Sequence, residues 1–397
     1  MKQNKKHTLF ALFAALCLCF TSIGISVSPQ AAAAQTAETA GYTAFGDSIA
    51  AGYGLDGYSH DQQAAPSESY QALTAGFLHT QPHNYAVSGS DSSDCIELLR
   101  SGTADDDLAA ADIITLSIGS NDLLLPFIQI VLDHFQIDQT QLDPSAIEKQ
   151  LQDGFSMPQL DPSKMAEYYK QAQQLLNDLS DHAELHAQAA AFPQQLQTIL
   201  SILHEKAPDA EVYVTNVYNP FASLPKIGEL ADIYIQEINQ AFSTDAPDYT
   251  LIDLYTPFQA KGLTNVHIDL TQPSGMSLDP HPSVQGHTVI AQLITKALSD
   301  AHAPKAASLR SLSASSKKKL TVKLKLPSDA DSCQILYATA KNGSYKVLGT
   351  TEKQTFQTSS KKLKTGKTYY IKLRSCRTYK GVVYYGKDSS TKKITMK

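Results

Sequence analysis

Ser48 stands in "YTAFGDSIAAGYG", residues 42–54, beside an acid, within a cluster of Gly and Ala, and after a short apolar stretch. Far along the chain, "LDPHPSVQGH" supplies His281, with Asp279 two residues before it. A serine hydroxyl is a poor nucleophile until a base within hydrogen-bond reach takes its proton, and that base works best when a third group fixes its tautomer and stabilises the imidazolium. Ser48, His281 and Asp279 have the types for those three roles, and the chemistry they would support is acyl transfer. Attack on a carbonyl creates an oxyanion, for which each preorganised N–H donor is worth about 2.7–4 kcal/mol. The candidate donors are the backbone amides of Ser48 and Gly89 and the side-chain amide of Asn121, in "GDS", "VSGS" and "GSND". Glycine permits close backbone approach, and the Asn amide donates without titrating.

Residues this far apart need a scaffold that gathers them. "GYTAFGDS", "HNYAVSGSDSSD", "AADIITLSIGSND", "DAEVYVTNVYNP" and "DYTLIDLYTPF" read as short apolar strands, with helical patterns such as "ESYQALTAGFL" and "DCIELLRSG" between them. The pattern closes on "HPSVQGHTVIAQLITKALSDA", an amphipathic helix with Pro282 suited to its first turn. Apolar strands alternating with helices predict a parallel sheet covered on both faces, with the ligand beyond the carboxyl ends of the strands. Ser48, Gly89 and Asn121 each follow such a strand, and a late loop brings His281.

Four blocks, "GDSIAAGYG", Gly89 in "NYAVSGSDSSD", "GSND" and "DPHP", resemble those of the SGNH (GDSL) hydrolase family, in the family's order. The resemblance covers about residues 41–300. It implies a flavodoxin-like three-layer α/β/α fold and hydrolysis of a carboxylic ester with neither metal nor organic cofactor. It also implies Ser48 as nucleophile, Gly89 and Asn121 completing the oxyanion hole with the Ser48 amide, and His281 as base. One block departs: the family commonly places its acid three residues before the base, where this chain has Leu278. The orienting group is therefore Asp279, two before, or a backbone carbonyl.

Each of these residues also has a purely structural reading. Ser48 could cap the helix beginning near Ile49, as could Asp47. Asn121 and Asp122 could simply start a helix, with Asp122 a cap or turn residue, and His267 and His287 read as structural or surface histidines. Between the third and fourth strands lies an insertion, residues 122–208, in which "LLLPFIQIVLDHF" offers an apolar wall and Gln- and Ala-rich helical sequence follows. It packs extra helices on the sheet or forms a lid over Ser48.

Composition sets the context. The 397 residues, 42% hydrophobic and 18% charged, are ordinary globular material for about two domains. Lys2, Lys5 and Lys6, the run "LFALFAALCLCF" and the small residues before Ala34 read as a secretory signal peptide. No later stretch approaches the roughly 20 apolar residues of a membrane span. Cys95, Cys333 and Cys376 remain after that leader, with no metal-ligand spacing. Residues 35–303 hold 8 basic and 35 acidic side chains, whereas residues 304–397 hold 22 and 4, so a formal net of −6 conceals −27 and +18. The expected organisation is a signal peptide at 1–34, a hydrolase domain at 35–303, a linker at 304–316 and a C-terminal all-β sandwich at 317–397.

That last region alternates apolar and polar residues between turns such as "KNGS" and "KTGK". "YATAKNGSYKVLGTT" and "LKTGKTYYIKLRSCRTYKG" resemble the fibronectin type III-like modules appended to exported proteins of Gram-positive bacteria. Alternation turns Cys333 inward and sets Cys376 opposite Leu373, which disfavours a disulfide. The positive charge suits retention at an anionic cell-wall polymer, or it merely solvates strands and blunts sheet edges. With an export signal and no stacking or groove-reading motif, a nucleic-acid partner is not expected. The leading expectation is an exported esterase of the lipase or phospholipase kind acting on a lipid or acylated glycan. The alternatives are a deacetylase of surface glycans and a non-catalytic adhesin.

Overall fold

The computed structural model describes residues 39–59, 64–134, 165–269, 277–315 and 319–397. The expected signal peptide, residues 135–164 of the insertion and residues 316–318 at the expected linker boundary lie outside them. Inter-residue contacts divide the chain into two compact units that part near residue 294.

The first unit is built on five parallel strands in the order β2-β1-β3-β4-β5. They are β1 (Tyr42–Gly46), β2 (Pro82–Asn84), β3 (Ile113–Ser117), β4 (Glu211–Thr215) and β5 (Thr250–Ile252). Every residue of β1 and β3 is buried, whereas β2 and β5 are partly exposed, as expected of central strands covered on both faces and of edges. Helices connect them: α1 (Ser48–Ala51), α2 (Tyr70–Leu78), α3 (Ser92–Arg100), α4 (Asp105–Ala109), α5 (Ser120–His134), α6 (Met165–Leu179), α7 (Ala183–Lys206), α8 (Ile227–Asn239) and α9 (Tyr255–Lys261). In α7 the buried residues Leu185, Ala189, Phe192, Leu196, Ile199 and Leu203 recur every three or four positions, and that stripe packs the helix against α3, α5 and α8. The described part of the insertion is thus largely packed helix.

The strand order reverses direction between β1 and β3. In this topology that switch point is where connections leave in opposite directions and open a crevice beyond the strand ends. Ser48 leaves β1 and Asn121 leaves β3 on its two sides. Gly46 lets β1 end so tightly: it has φ +149°, and a Cβ there would lie 2.2 Å from the Ser117 carbonyl oxygen.

Two sequence expectations change here. The segment carrying His281 is a strand rather than a loop: β7 (Ser277–Pro282) pairs antiparallel with β6 (Val266–Asp269), with a register shift that leaves Pro280 and His281 without a partner on β6. Pro282 accordingly ends that strand, and α10 (Val284–His302) begins beyond it, with Ser283 Oγ accepting the Gly286 N–H at 3.2 Å.

The C-terminal unit contains two antiparallel sheets. One orders β12 (Thr355–Thr358), β9 (Leu320–Lys325) and β8 (Ser308–Ala314). The other orders β11 (Lys346–Thr351), β10 (Ser332–Ala338), β13 (Thr368–Tyr379) and β14 (Val382–Tyr385), with β15 (Lys392–Thr395) also paired to β13. Leu320, Val322 and Leu324 share one core with Ile335, Ile371 and Leu373. Residues 308–314, expected in a linker, form β8 instead. A bulge between Leu309 and Ser311 interrupts the alternation there, yet Leu309, Leu312 and Ala314 still reach the core. Cys95, Cys333 and Cys376 are free thiols. Cys333 pairs with Ser375 and Cys376 with Ser332, so the offset of one residue sends the two side chains to opposite faces.

Candidate active site

The turn after β1 presents Ser48. Asp47 is the N-cap of α1, its Oδ1 accepting the Ile49 N–H at 2.9 Å, so capping falls to the acid and the Ser48 hydroxyl is left for another partner. That partner is His281, whose Nε2 lies 2.9 Å from Ser48 Oγ across 233 residues of sequence. On the other side of the ring, His281 Nδ1 lies 2.5 Å from Asp279 Oδ1, which also accepts the His281 backbone N–H at 3.0 Å. Ser48 and His281 are buried, and Asp279 is one-fifth exposed. Burial alone would raise the Asp279 carboxyl, but the charge and hydrogen bonds of His281 outweigh it and hold the group below the ordinary carboxylate range.

The two other candidates sit beside this trio at neighbouring strand ends. The Tyr85 and Val87 N–H groups donate to the Ala44 and Gly46 carbonyls, carrying the chain after β2 along β1 to its end. The Ser90 N–H then closes a turn onto the Val87 carbonyl, with Gly89 at φ +91° in its third position, where a type II turn requires positive φ. Asn121, buried at the start of α5, donates from Nδ2 to the Ser90 carbonyl at 2.8 Å and so ties the third block to the second. Asp122 is a fastener: its carboxylate accepts the Ser92 N–H and hydroxyl, joining α5 to the start of α3, and burial pushes it up to about 6.

Of the two further histidines, His287 is buried, accepts the Tyr70 N–H at Nδ1, and is driven by burial to about 3, a neutral interior group. His267 is partly exposed and pairs with Asp279 across the β6–β7 ribbon, where burial lowers it.

Three tyrosines to which the sequence reading gave no role complete the surroundings. The Tyr53 ring packs 4.4 Å from the His281 ring, centre to centre, and against Tyr58, whose hydroxyl pairs with Ser88 Oγ. Tyr218, just after β4, donates to the Pro280 carbonyl at 2.8 Å and steadies the segment between Asp279 and His281. Tyr53 lies within "GDSIAAGYG" and was open to notice there, whereas Tyr58 and Tyr218 carry no local signal. Among the described residues, no group of three or more His, Cys, Asp or Glu side chains is arranged to hold a metal ion.

Asp47 itself is a buried carboxyl pushed by burial up to about 7, with Oδ2 lacking any hydrogen-bond partner among the described residues. Between its ordinary value of 3.8 and about 7, the folded state keeps a proton that the unfolded chain has released, so this group lowers stability as pH rises through that window. Asp47→Asn keeps the capping oxygen and removes the charge. Its melting temperature should exceed the wild type's by a few degrees at about pH 8 and match it at about pH 4. A gain independent of pH in thermal melts would refute this account.

Residues 44–289 match the profile of the GDSL-like lipase/acylhydrolase family, and the chain belongs to that family. Similar solved structures include a lipase from a goat rumen metagenome, at 21% identity over 65% of this chain and 97% of that one, with a TM-score of 0.42. Others are phospholipase A1 from Streptomyces albidoflavus NA297 (18% identity, 65% and 99% covered, TM-score 0.42) and an acetyl xylan esterase from Geobacillus stearothermophilus (16%, 65% and 94%, 0.33). No curated protein sequence matches the chain.

Proposed function

We propose that this protein is an exported serine esterase of the lipase or phospholipase-like kind, acting through Ser48, His281 and Asp279. The observation that carries this reading is the continuous hydrogen-bonded line from Ser48 Oγ through the His281 ring to Asp279. In the reaction, Ser48 Oγ attacks the ester carbonyl carbon while its proton passes to His281 Nε2, and Asp279 stabilises the imidazolium. The oxyanion accepts from the Ser48 and Gly89 amides and the Asn121 amide. Collapse expels the alcohol, which takes the proton from His281, and leaves an acyl-serine. A water that gives its proton to His281 then attacks this ester, and the returned proton restores Ser48 as the acid departs.

Apolar side chains on the segments that carry the site residues favour a substrate with a hydrocarbon acyl chain. Val87 on the Gly89 turn and Val284 just beyond His281 are exposed, and Leu124, Leu125 and Phe127 on α5 are partly so. Leu124 and Leu125 lie three and four residues beyond Asn121 and so share its side of the helix. Across p-nitrophenyl esters from acetyl to palmitoyl, kcat/KM should rise beyond acetyl as the acyl chain covers these apolar side chains. A maximum at acetyl would favour the surface-glycan deacetylase, and no turnover of any ester would favour the adhesin.

The leader-like sequence at 1–34 supports export, and the alternating C-terminal sequence supports a fibronectin type III-like module. The surplus of 22 basic over 4 acidic side chains in residues 304–397 supports retention at an anionic polymer of a Gram-positive-type cell surface. Binding of the full-length protein to such a polymer should weaken as salt rises and the Debye length shrinks from ~10 Å at 0.1 M to ~3 Å at 1 M. Salt-independent retention would oppose the electrostatic reading.

A further inference from the structure

We propose that the outward face of the β11-β10-β13-β14 sheet is a binding site for an acidic polysaccharide. Its sugar rings would lie on Tyr345 and Tyr385, and its anionic groups on Lys372 and Arg374. This deepens the retention reading above and rests on it.

Strand register assembles the face. Residues paired directly across a sheet point the same way, as do residues two apart on one strand. Val347, Leu336 and Lys372 form one row, Gln334 and Arg374 the next, then Cys376 with Tyr385 and Thr378 with Val383. The opposite face is consumed by the core, through Ile335, Ile371 and Leu373. On the outward face Leu336 and Cys376 are covered by their neighbours, and the positions open to solvent are Val347 and Val383, each 43% exposed, and Tyr385, 49% exposed.

The cations on this face are held in place. Lys372 Nζ sits 4.4 Å from the centre of the Tyr345 ring, and the Arg374 guanidinium 5.7 Å from that of Tyr385. Asp388 accepts from Arg374 Nε at 2.8 Å and lies 3.7 Å from Lys372 Nζ, so two neighbouring positive groups are fixed side by side. A sugar ring has apolar C–H surface that packs on an aromatic ring, and a carboxylate on that sugar would meet an already ordered donor. The net of +18 over residues 304–397 selects for a polyanion over a neutral glycan. A single-stranded nucleic acid fits less well, because base stacking uses aromatic platforms in series along a basic groove. Here the two rings stand at opposite edges of the sheet, Tyr345 just before β11 and Tyr385 on β14, with the two cations between them.

The test uses the full-length protein and immobilised polygalacturonate, with dextran as the uncharged glycan and oligothymidylate as the nucleic acid. The wild type should bind polygalacturonate at low salt, more tightly than oligothymidylate, and should not bind dextran. Tyr345→Ala with Tyr385→Ala, and separately Lys372→Gln with Arg374→Gln, should each weaken binding about tenfold. Lys323→Gln with Lys325→Gln, an equal charge loss at exposed positions of β9 in the other sheet, should cost less than about twofold. Circular dichroism melts accompany each variant, and the exposed Tyr385→Ala alone should still weaken binding if a double variant is poorly folded. Equal losses on and off the face, wild-type affinity in the face variants, equal binding of dextran, or tighter binding of oligothymidylate would each overturn the assignment. Failure of the wild type to bind polygalacturonate would remove the retention reading together with it. Binding that survives the face substitutions removes the face alone.

Discussion

Ser48→Ala should lower the turnover of a p-nitrophenyl ester by about five to six orders of magnitude while the protein melts as the wild type does. The substitution removes only a hydroxyl, and the cap of α1 is made by Asp47 rather than by Ser48, so the local backbone loses no hydrogen bond to it. His281→Ala should be about as severe, because without a base 2.9 Å away the hydroxyl keeps its proton. Combining the two should cost scarcely more than either alone, since residues that act as one unit are not additive. Single-turnover and steady-state measurements on the three variants would decide. Losses that sum would mean that Ser48 and His281 act independently, and wild-type-like turnover in folded Ser48→Ala would end the nucleophile assignment.

Asp279→Asn should reduce kcat by about three to four orders of magnitude, given that the equivalent change in a serine protease costs about 10⁴. The carboxylate accepts from both the ring Nδ1 and the backbone N–H of His281, so it fixes the tautomer that leaves Nε2 free to take the Ser48 proton. An amide at that position can turn an N–H toward Nδ1 and favour the wrong tautomer. The fold should survive, because Tyr218 still holds the Pro280 carbonyl and the ribbon with β6 is untouched. Activity above about a tenth of wild type would transfer the orienting role to a backbone group. The ratio of the Asp279→Asn and His281→Ala rates reads this directly.

The positions that were legible in the sequence share a local cause. The runs of β1 and β3 are buried throughout because both faces of a central parallel strand are covered; β1 ends on Gly46, and β3 ends at Ser117, two residues before Gly119. Polar residues at the ends of such strands are informative because helices cover the sides of the sheet and leave its carboxyl edge for chemistry. Hence Ser48, Gly89 and Asn121 could be named before their neighbours were known.

His281 and Asp279 were legible as types but not as an arrangement. Sequence alone left open whether the acid two residues before the base, rather than three, could reach the ring. The answer depends on how the chain bends through Pro280 and on the pairing of β7 with β6. His267 and His287, alike in sequence as structural or surface histidines, part company only in three dimensions: His287 is sealed in the interior, and His267 faces Asp279 across the ribbon.

By itself, the amino-acid sequence determined the alternation of strand and helix, the four polar blocks, the opposite charges of the two regions and the family resemblance. These follow from local periodicity and composition, which neighbouring residues encode. Only the tertiary structure decided the hydrogen bond between Ser48 and His281, the contact with Asp279, and the tyrosines that pack around them, because such contacts join segments up to 233 residues apart. It also decided that residues 308–314 are a strand rather than a linker, since the bulge at Leu309–Ser311 breaks the two-residue period by which a strand is recognised. The row of Lys372, Arg374 and Tyr385 on one sheet face belongs to the same class. A strand's own alternation says which residues share a side, but only pairing with its neighbours says what lies beside them.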